Sequence, residues 1–367
     1  MRVAIFALVT MLAACTAKTD APSTTQTSVT PTDKSAPSKA AKVAKKLTIT
    51  SFGGAYATSQ RKAFFEPYAQ ETGTQIVEDD YNGELAKIKA MVQAKSVTWD
   101  VVDVESDMVL RGCDEGILEP IDPKILGDTK DFLPGAVEDC GVASVAWSTA
   151  FAYDTQRTPN GPKTLEDVFD VKRFPGKRAI RKHPKGTLEQ ALMATGVAPA
   201  DVYRTLATKE GVDRALAKLD TIKEHIVWWE AGAQPPQLLA DGEVVIAQAY
   251  NGRIYNAQVK EKKPFAILWD GQVYDYDYWV VPKGGPRVKQ AMAFITYATD
   301  PARMATQTQY IAYAPSRPSA LAHVDPKAKP HLPTAPANFK RALRVDPEWW
   351  ADHFDDLNGR FQAWLAR

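Results

Sequence analysis

Cysteine is scarce in this chain of 367 residues: there are three, none in a CxxC pair and none beside a histidine, which leaves no zinc-binding pattern. Histidine is scarce too. Its five copies, at 183, 225, 323, 331 and 353, form no HExxH pattern, and no serine stands in a GxSxG elbow. Walker and GxGxxG loops are also missing, so a nucleotide has no cradle. Neither sign of charge is in excess, with 45 basic against 44 acidic residues and a net charge of +1. No basic run is interleaved with stacking aromatics, which argues against nucleic acid as a partner. The expectation is a protein with no cofactor, no metal, no catalytic residue and no nucleic-acid surface.

What is present begins at the N-terminus. Met1-Arg2 is a short basic start, Val3 to Leu12 is apolar, and Leu12-Ala13-Ala14-Cys15 closes the run. It is too short to span a bilayer as a mature helix and reads as a secretory signal over residues 1–15. The LAAC tetrapeptide resembles a lipobox, in which Cys15 becomes the lipidated first residue; an ordinary signal with an incidental cysteine is the other reading. No later segment is long and apolar enough to cross a membrane. Residues 16–46 are rich in Thr, Ser, Ala, Pro and Lys without an aromatic, too little apolar surface to fold, and form a disordered tether. Thr16 stands where aspartate often marks inner-membrane retention, which favours the outer membrane in a Gram-negative cell. Cys113 and Cys140 remain, an even pair in an exported protein. That suggests a disulfide contributing about 3.5 kcal/mol in the chain-entropy model, with two free buried thiols as the alternative.

The length fits two domains. Strand-like Leu47–Phe52 breaks at Gly53-Gly54 before a helical stretch to Thr72. Gln75–Asp80 and Trp99–Glu105 read as strands around an amphipathic helix over 83–95. Such alternation predicts a largely parallel sheet with ligands gathering at the carboxyl ends of strands. The pattern resumes with strands at Val142–Thr149, Phe151–Asp154, Arg178–Arg181, Val244–Tyr250 and Phe265–Trp269, helices between them, and a helical C-terminal region holding Trp349, Trp350 and Trp364.

Tyr274-Asp275-Tyr276-Asp277-Tyr278-Trp279 alternates strictly, so a strand puts Asp275, Asp277 and Trp279 on one face with the carboxylates roughly 7 Å apart. A cation between them would relieve their repulsion. A half-exposed edge strand whose acids face water explains the run equally well. Phe52, Tyr56, Glu105, Asp107, Trp147 and Tyr250 also stand at strand ends, where a cleft would lie. Aromatic faces there attract ammonium groups.

Several stretches carry a resemblance: Ser51-Phe52-Gly53-Gly54-Ala55-Tyr56, Cys113-Asp114-Glu115-Gly116-Ile117-Leu118-Glu119, Trp147-Ser148-Thr149, Trp228-Trp229-Glu230-Ala231-Gly232-Ala233-Gln234 and Tyr250-Asn251-Gly252-Arg253. From about Leu47 to Ser319 the chain resembles bacterial extracellular solute-binding proteins of ABC importers, in the spermidine/putrescine receptor branch. The resemblance implies a type II periplasmic-binding-protein-like α/β fold, two lobes that close on a solute about hinge strands. One lobe would comprise residues 47–150 and 272–310, the other 151–271 and 311–367. It also implies ligand contacts from Phe52, Tyr56, Glu105, Asp107 and Tyr250, an amine-binding acid at Asp277, and Asp275 where an aromatic often stands; Trp147 and Trp229, in the shared stretches, are further candidates for the ligand site. Glu189 is a further candidate acid for a distal amine, or else a solvated residue at a helix start.

The expected function is that of a periplasmic, lipid-tethered monomer that captures a cationic polyamine and delivers it to permease subunits, touching the membrane only through its lipid. A second reading keeps the fold and takes a zwitterion such as a γ-amino acid, its carboxylate held by the Gly53-Gly54 helix start or by Arg253. A third, an exported hydrolase with Asp275 and Asp277 as acid and base, lacks any nucleophile motif.

Overall fold

The computed structural model describes residues 46–367; Cys15, the signal segment and the tether as far as residue 45 lie outside them. Strand β1 (Lys46–Ser51) is buried from Leu47 onward because β2 (Gln75–Asp80) and β3 (Val101–Glu105) flank it in parallel. Between β1 and β2, α1 (Gly54–Gln60) passes through a wider turn at Arg61–Phe65 into α2 (Glu66–Thr72). Pro67 has no N–H to give, and the Glu66 N–H reaches back five residues to the Arg61 carbonyl. Helices α3 (Leu85–Gln93) and α4 (Ser106–Asp114) follow β2 and β3.

After the short β4 (Val137–Glu138) comes β5 (Gly141–Asp154), 14 residues and buried throughout. A second parallel set follows: β6 (Arg178–Arg181), β7 (Ile226–Trp229) and β8 (Ile246–Tyr250), with helices α5 (Leu165–Val168), α6 (Pro184–Met193), α7 (Val202–Leu206), α8 (Lys209–Asp220), α9 (Gln234–Asp241) and α10 (Asn251–Val259). Strand β9 (Phe265–Val280) then runs for 16 residues. The chain ends through α11 (Val288–Ala298), α12 (Pro301–Gln307), β10 (Ala314–Pro315), β11 (Leu343–Arg344) and α13 (Pro347–Leu365).

All strands join one mixed sheet in the order β2-β1-β3-β9-β5-β8-β6-β7, with β4 and β10 beside β5 and β11 beside β9. The antiparallel pair β5 and β9 connects the two parallel sets. β9 meets β3 only through Asp277–Val280, and β5 meets β8 only through Thr149–Tyr153. The two strands expected at 142–149 and 151–154 are therefore one, with a register shift between Thr149 and Phe151 opposite Val273 and Leu268. Gly271 lies in that irregular stretch at φ +71°, where a Cβ would stand 2.5 Å from Leu165 Cδ2, so only glycine fits. β9 is central rather than at an edge, and the alternative in which its acids face water is excluded: Asp275 and Asp277 are 3 % and 4 % exposed.

One hydrophobic core gathers Phe64, Trp279 and Phe294 under the first strand set, and a second gathers Phe151, Trp350, Phe361 and Trp364. Ala312, Ala314, Ala320, Val324, Ala328 and Leu332, expected with the second half, pack into the first core, because β10 adds to β5 beside Val145 and Ala146. Only from Leu343 does the chain join the second core. Cys113 on α4 is disulfide-bonded to Cys140 at the start of β5, Cα atoms 5.7 Å apart. Among the described residues no helix is long and apolar enough to cross a membrane.

Candidate functional site

The turn after β1 builds the first wall. Gly53 adopts φ +64°, and a Cβ there would lie 2.9 Å from Asp80 Oδ2, which is why the strand can turn here only on glycine. The turn presents two carbonyls to Arg253 from α10: Nη2 donates to Phe52 O at 2.9 Å and Nη1 to Gly53 O at 3.2 Å. The turn is thus engaged by a cation through the Phe52 and Gly53 carbonyls. Beside it Phe52 and Tyr56 stack with centroids 6.4 Å apart, and Tyr56 meets Tyr313 edge-on at 5.2 Å.

Facing these rings, Trp147 on β5 and Tyr250 at the end of β8 stand perpendicular, 5.0 Å between centroids. The five aromatics, with Glu105, Asp277 and Arg253, line a small cavity of about 20 Å³. Six residues expected at the site therefore come together here: Phe52, Tyr56, Glu105, Trp147, Tyr250 and Asp277. Trp229 stands behind the wall, 5.5 Å from the Tyr250 ring.

The register of β3 and β9 sets Glu105 directly opposite Asp277, where two like charges repel. The two carboxyls resolve this differently. Burial would raise Glu105, but Lys185 and Arg181 outweigh it and hold it below the usual carboxylate range: Lys185 Nζ is 2.5 Å from Oε2, and Arg181 Nη2 is 3.2 Å from Oε1. Asp277 is in no ion pair among the described residues. Burial first, then the charges of Asp103, Glu105 and Asp275, push its carboxyl well above the usual range, against the Trp147 indole N–H that donates to Oδ1 at 2.7 Å. Burial likewise pushes Asp103 up to about 7, although Gln60 donates to it. On the cationic side, the buried Arg253 Nε–H has no hydrogen-bond partner.

Asp107 and Asp275, expected to face ligand amines, lie outside the cavity and face Lys185 instead. Lys185 donates to Asp107 Oδ1 and its Nζ is 3.6 Å from Asp275 Oδ2. The expectation that Glu105 and Asp275 neutralise a ligand's ammonium ends is corrected accordingly: a protein lysine already occupies them. Glu189 does not reach the cavity either. Its carboxylate accepts from Trp350 Nε1 at 2.7 Å, the Gly186 N–H at 2.7 Å and Tyr203 OH at 3.3 Å, tying α6 to α13. Sequence reasoning missed Lys185 and Tyr313. The signal for the lysine was the basic run Arg181-Lys182-His183-Pro184-Lys185 at the end of β6, a strand end like those that supplied the acids.

Known proteins resemble this chain over most of its length. A family model described as "Bacterial extracellular solute-binding protein" matches residues 63–334. A γ-aminobutyric acid-binding protein of Pseudomonas aeruginosa is 50 % identical over 321 residues, 88 % of this chain and 91 % of that one. A putrescine/agmatine-binding protein of the same organism is 23 % identical over 287 residues, 71 % and 77 % of the two chains. Among solved structures, a γ-aminobutyric acid receptor is 34 % identical with a TM-score of 0.78, covering 88 % of this chain and 98 % of that one. A periplasmic binding protein of Agrobacterium tumefaciens in complex with agropinic acid is 33 % identical with a TM-score of 0.81, covering 88 % and 99 %.

Proposed function

The chain belongs to the bacterial extracellular solute-binding proteins of ABC importers, with their type II periplasmic-binding-protein fold, and we propose that it captures a short zwitterionic ω-amino acid of the γ-aminobutyrate class. Such receptors are not enzymes; they bind a small ligand and work with permease subunits.

One observation carries the ligand assignment. A single cavity is lined both by a buried carboxylate without a counter-charge, Asp277, and by an arginine whose Nε–H has no partner, Arg253, with aromatic rings around them. An ammonium group at Asp277 gives that carboxylate the cation it lacks, and the surrounding ring faces add attraction of about 1–2 kcal/mol when desolvated. A carboxylate at Arg253 satisfies the free N–H, while Trp147 and Tyr250 cover the methylenes between. The cavity of about 20 Å³ is far below the roughly 300–1,000 Å³ common for small-molecule pockets, so in this reading its walls part to admit even a ligand of few carbons. The polyamine reading has less support: its supporting relative is 23 % identical, and Glu105, Asp107 and Asp275 already face Lys185.

Capture would proceed by rotation of the two halves about β5 and β9 at the irregular stretch around Thr149 and Gly271. The first lobe of this proposal takes 47–150 and 272–332, the second 151–271 and 343–367. Acylation of Cys15 and tethering to a membrane belong to the same proposal, checked by the intact mass of the exported protein. Calorimetric titration of the purified protein with γ-aminobutyrate, β-alanine, putrescine and spermidine tests the ligand class. Micromolar or tighter binding of γ-aminobutyrate is expected; heat from the diamine with none from the amino acid would overturn the assignment.

A further inference from the structure

Next to the ligand cavity, Glu105, Asp107 and Asp275 bring three buried carboxylate oxygens within 4.8 Å of one another. Two of these acids stand at the β3–α4 junction and the third on β9, all close to the first core. The cation among them arrives from the second half. His183 accepts the Lys185 N–H at 3.2 Å, and the backbone breaks from helical geometry at Lys185 and Gly186, Gly186 having φ +82°. This kink, not the helix that follows it, aims the lysine into the acids. Its ammonium lies 2.5 Å from Glu105 Oε2, donates to Asp107 Oδ1 and stands 3.6 Å from Asp275 Oδ2. One oxygen is left over: Asp275 Oδ2, on a side chain 3 % exposed, receives no hydrogen bond. The nest therefore holds more acceptor capacity than a lysine with three protons satisfies.

The nest and the ligand cavity share a wall. Glu105 lines the small ligand cavity and also an open cavity of about 400 Å³, where Asp107, Arg181 and Lys185 stand. Asp275 and Asp277 are two residues apart on β9, which places them roughly 7 Å apart. The nitrogens of an extended four-carbon diamine are about 6 Å apart. A diamine with one end at Asp277 would therefore direct its other end at the nest.

We propose that Lys185 is a tethered ammonium that fills a second, latent cation subsite formed by Glu105, Asp107 and Asp275, and so restricts the receptor to ligands with a single ammonium group. The proposal rests on the assignment of the ligand's ammonium to Asp277. With Lys185 in place, a second ammonium meets a resident positive charge; without it, the three acids keep only Arg181 as a partner and accept the far end of a diamine. Because the acids and the lysine come from opposite halves, the ion pairs also form only when those halves approach.

Calorimetry of wild type, Lys185→Ala and Lys185→Met with γ-aminobutyrate and putrescine tests this, with circular dichroism to confirm folding. The expected result is a gain of at least 100-fold in putrescine affinity in Lys185→Ala, a smaller gain in Lys185→Met, whose side chain still fills the space, and competition with putrescine by millimolar ethylammonium in Lys185→Ala alone. If Lys185→Ala does not fold, Lys185→Ala/Asp107→Asn, which leaves one fewer uncompensated charge, is read in its place. Folded variants that gain no putrescine affinity overturn the proposal, as does failure of both variants to fold, since the lysine is then a structural support. Wild type that binds no γ-aminobutyrate sinks the ligand assignment instead, and a putrescine gain in the variant then still identifies the latent subsite.

Discussion

Replacing Asp277 by asparagine should weaken ligand binding and strengthen the empty fold at once. Trp147 Nε1 donates to Asp277 Oδ1 at 2.7 Å, and an asparagine Oδ1 keeps that bond, so the shape of the wall survives. What disappears is a carboxylate buried among Asp103, Glu105 and Asp275. For the ligand, the ammonium loses its counter-charge, and truncating one partner of a buried charge pair costs about 2–5 kcal/mol, or about 30- to 5,000-fold in affinity. For the empty protein the sign reverses. Its folded-state carboxyl value lies above the unfolded one, so this group penalises the folded state at neutral pH and stabilises it only in acid. Removing the titratable group lifts that penalty, and each kcal/mol recovered raises Tm by about 1.5 °C for a folded chain of this length. The assay pairs calorimetric titration of γ-aminobutyrate with thermal melts in the absence of ligand. Weaker binding together with a lower Tm would make Asp277 a structural prop; affinity within about threefold of wild type would refute the ammonium assignment outright.

The same electrostatics predict that γ-aminobutyrate affinity rises with pH by up to about tenfold per unit until the raised carboxyls are ionised in the empty cavity, then levels off. Burial and the charges of Asp103, Glu105 and Asp275 raise Asp277, so the rise should extend well above the usual carboxylate range, with proton release visible in buffers of different ionisation heat and absent in Asp277→Asn. Stability of the ligand-free protein should run the other way: the raised Asp103 carboxyl contributes fully below about pH 4, and that contribution is lost as pH climbs through about 7. Arg253→Lys keeps the charge but not the fork, and should cost the amino acid about 10- to 100-fold while leaving a simple monoamine unaffected, read by competition. Cys113→Ser/Cys140→Ser should lose about 3.5 kcal/mol in denaturant melts, because α4 and β5 are no longer joined in the unfolded chain; an unchanged midpoint would refute it.

Local pattern carried much of the fold. The LTITS alternation, the Gly53-Gly54 break and the valines of β3 each imply their element, because burial on one or both faces leaves a period in the sequence. The length of β5 and β9 was less visible. Ala150 and Gly271 interrupt the apolar pattern, and each strand reads as two pieces until the register shift between Thr149 and Phe151 shows that the chain continues through the irregularity. The apolar residues Ala320, Val324, Ala328 and Leu332 recur every four positions yet lie on short turns and loops rather than a helix, and only their packing assigns them to the first core.

The acids were legible and their meaning was not. Tyr-Asp-Tyr-Asp-Tyr-Trp and the Glu105–Asp107 strand end predict a site rich in carboxylates, and counting those alone points to a polycation. Ligand charge follows from the acids left over after the protein's own cations are placed, and those cations come from distant segments: Lys185 from the kink before α6, Arg181 from β6, Arg253 from α10. Once Lys185 is set among Glu105, Asp107 and Asp275, the carboxylate excess facing the cavity falls to Asp277. Arg253 on the same cavity then adds a demand for negative charge. A ligand with one positive and one negative end meets both conditions, and a polyamine meets only the first. The choice between these chemistries thus rests on the placement of one lysine, far along the chain from all three acids it faces, Glu105 and Asp107 before it and Asp275 after it.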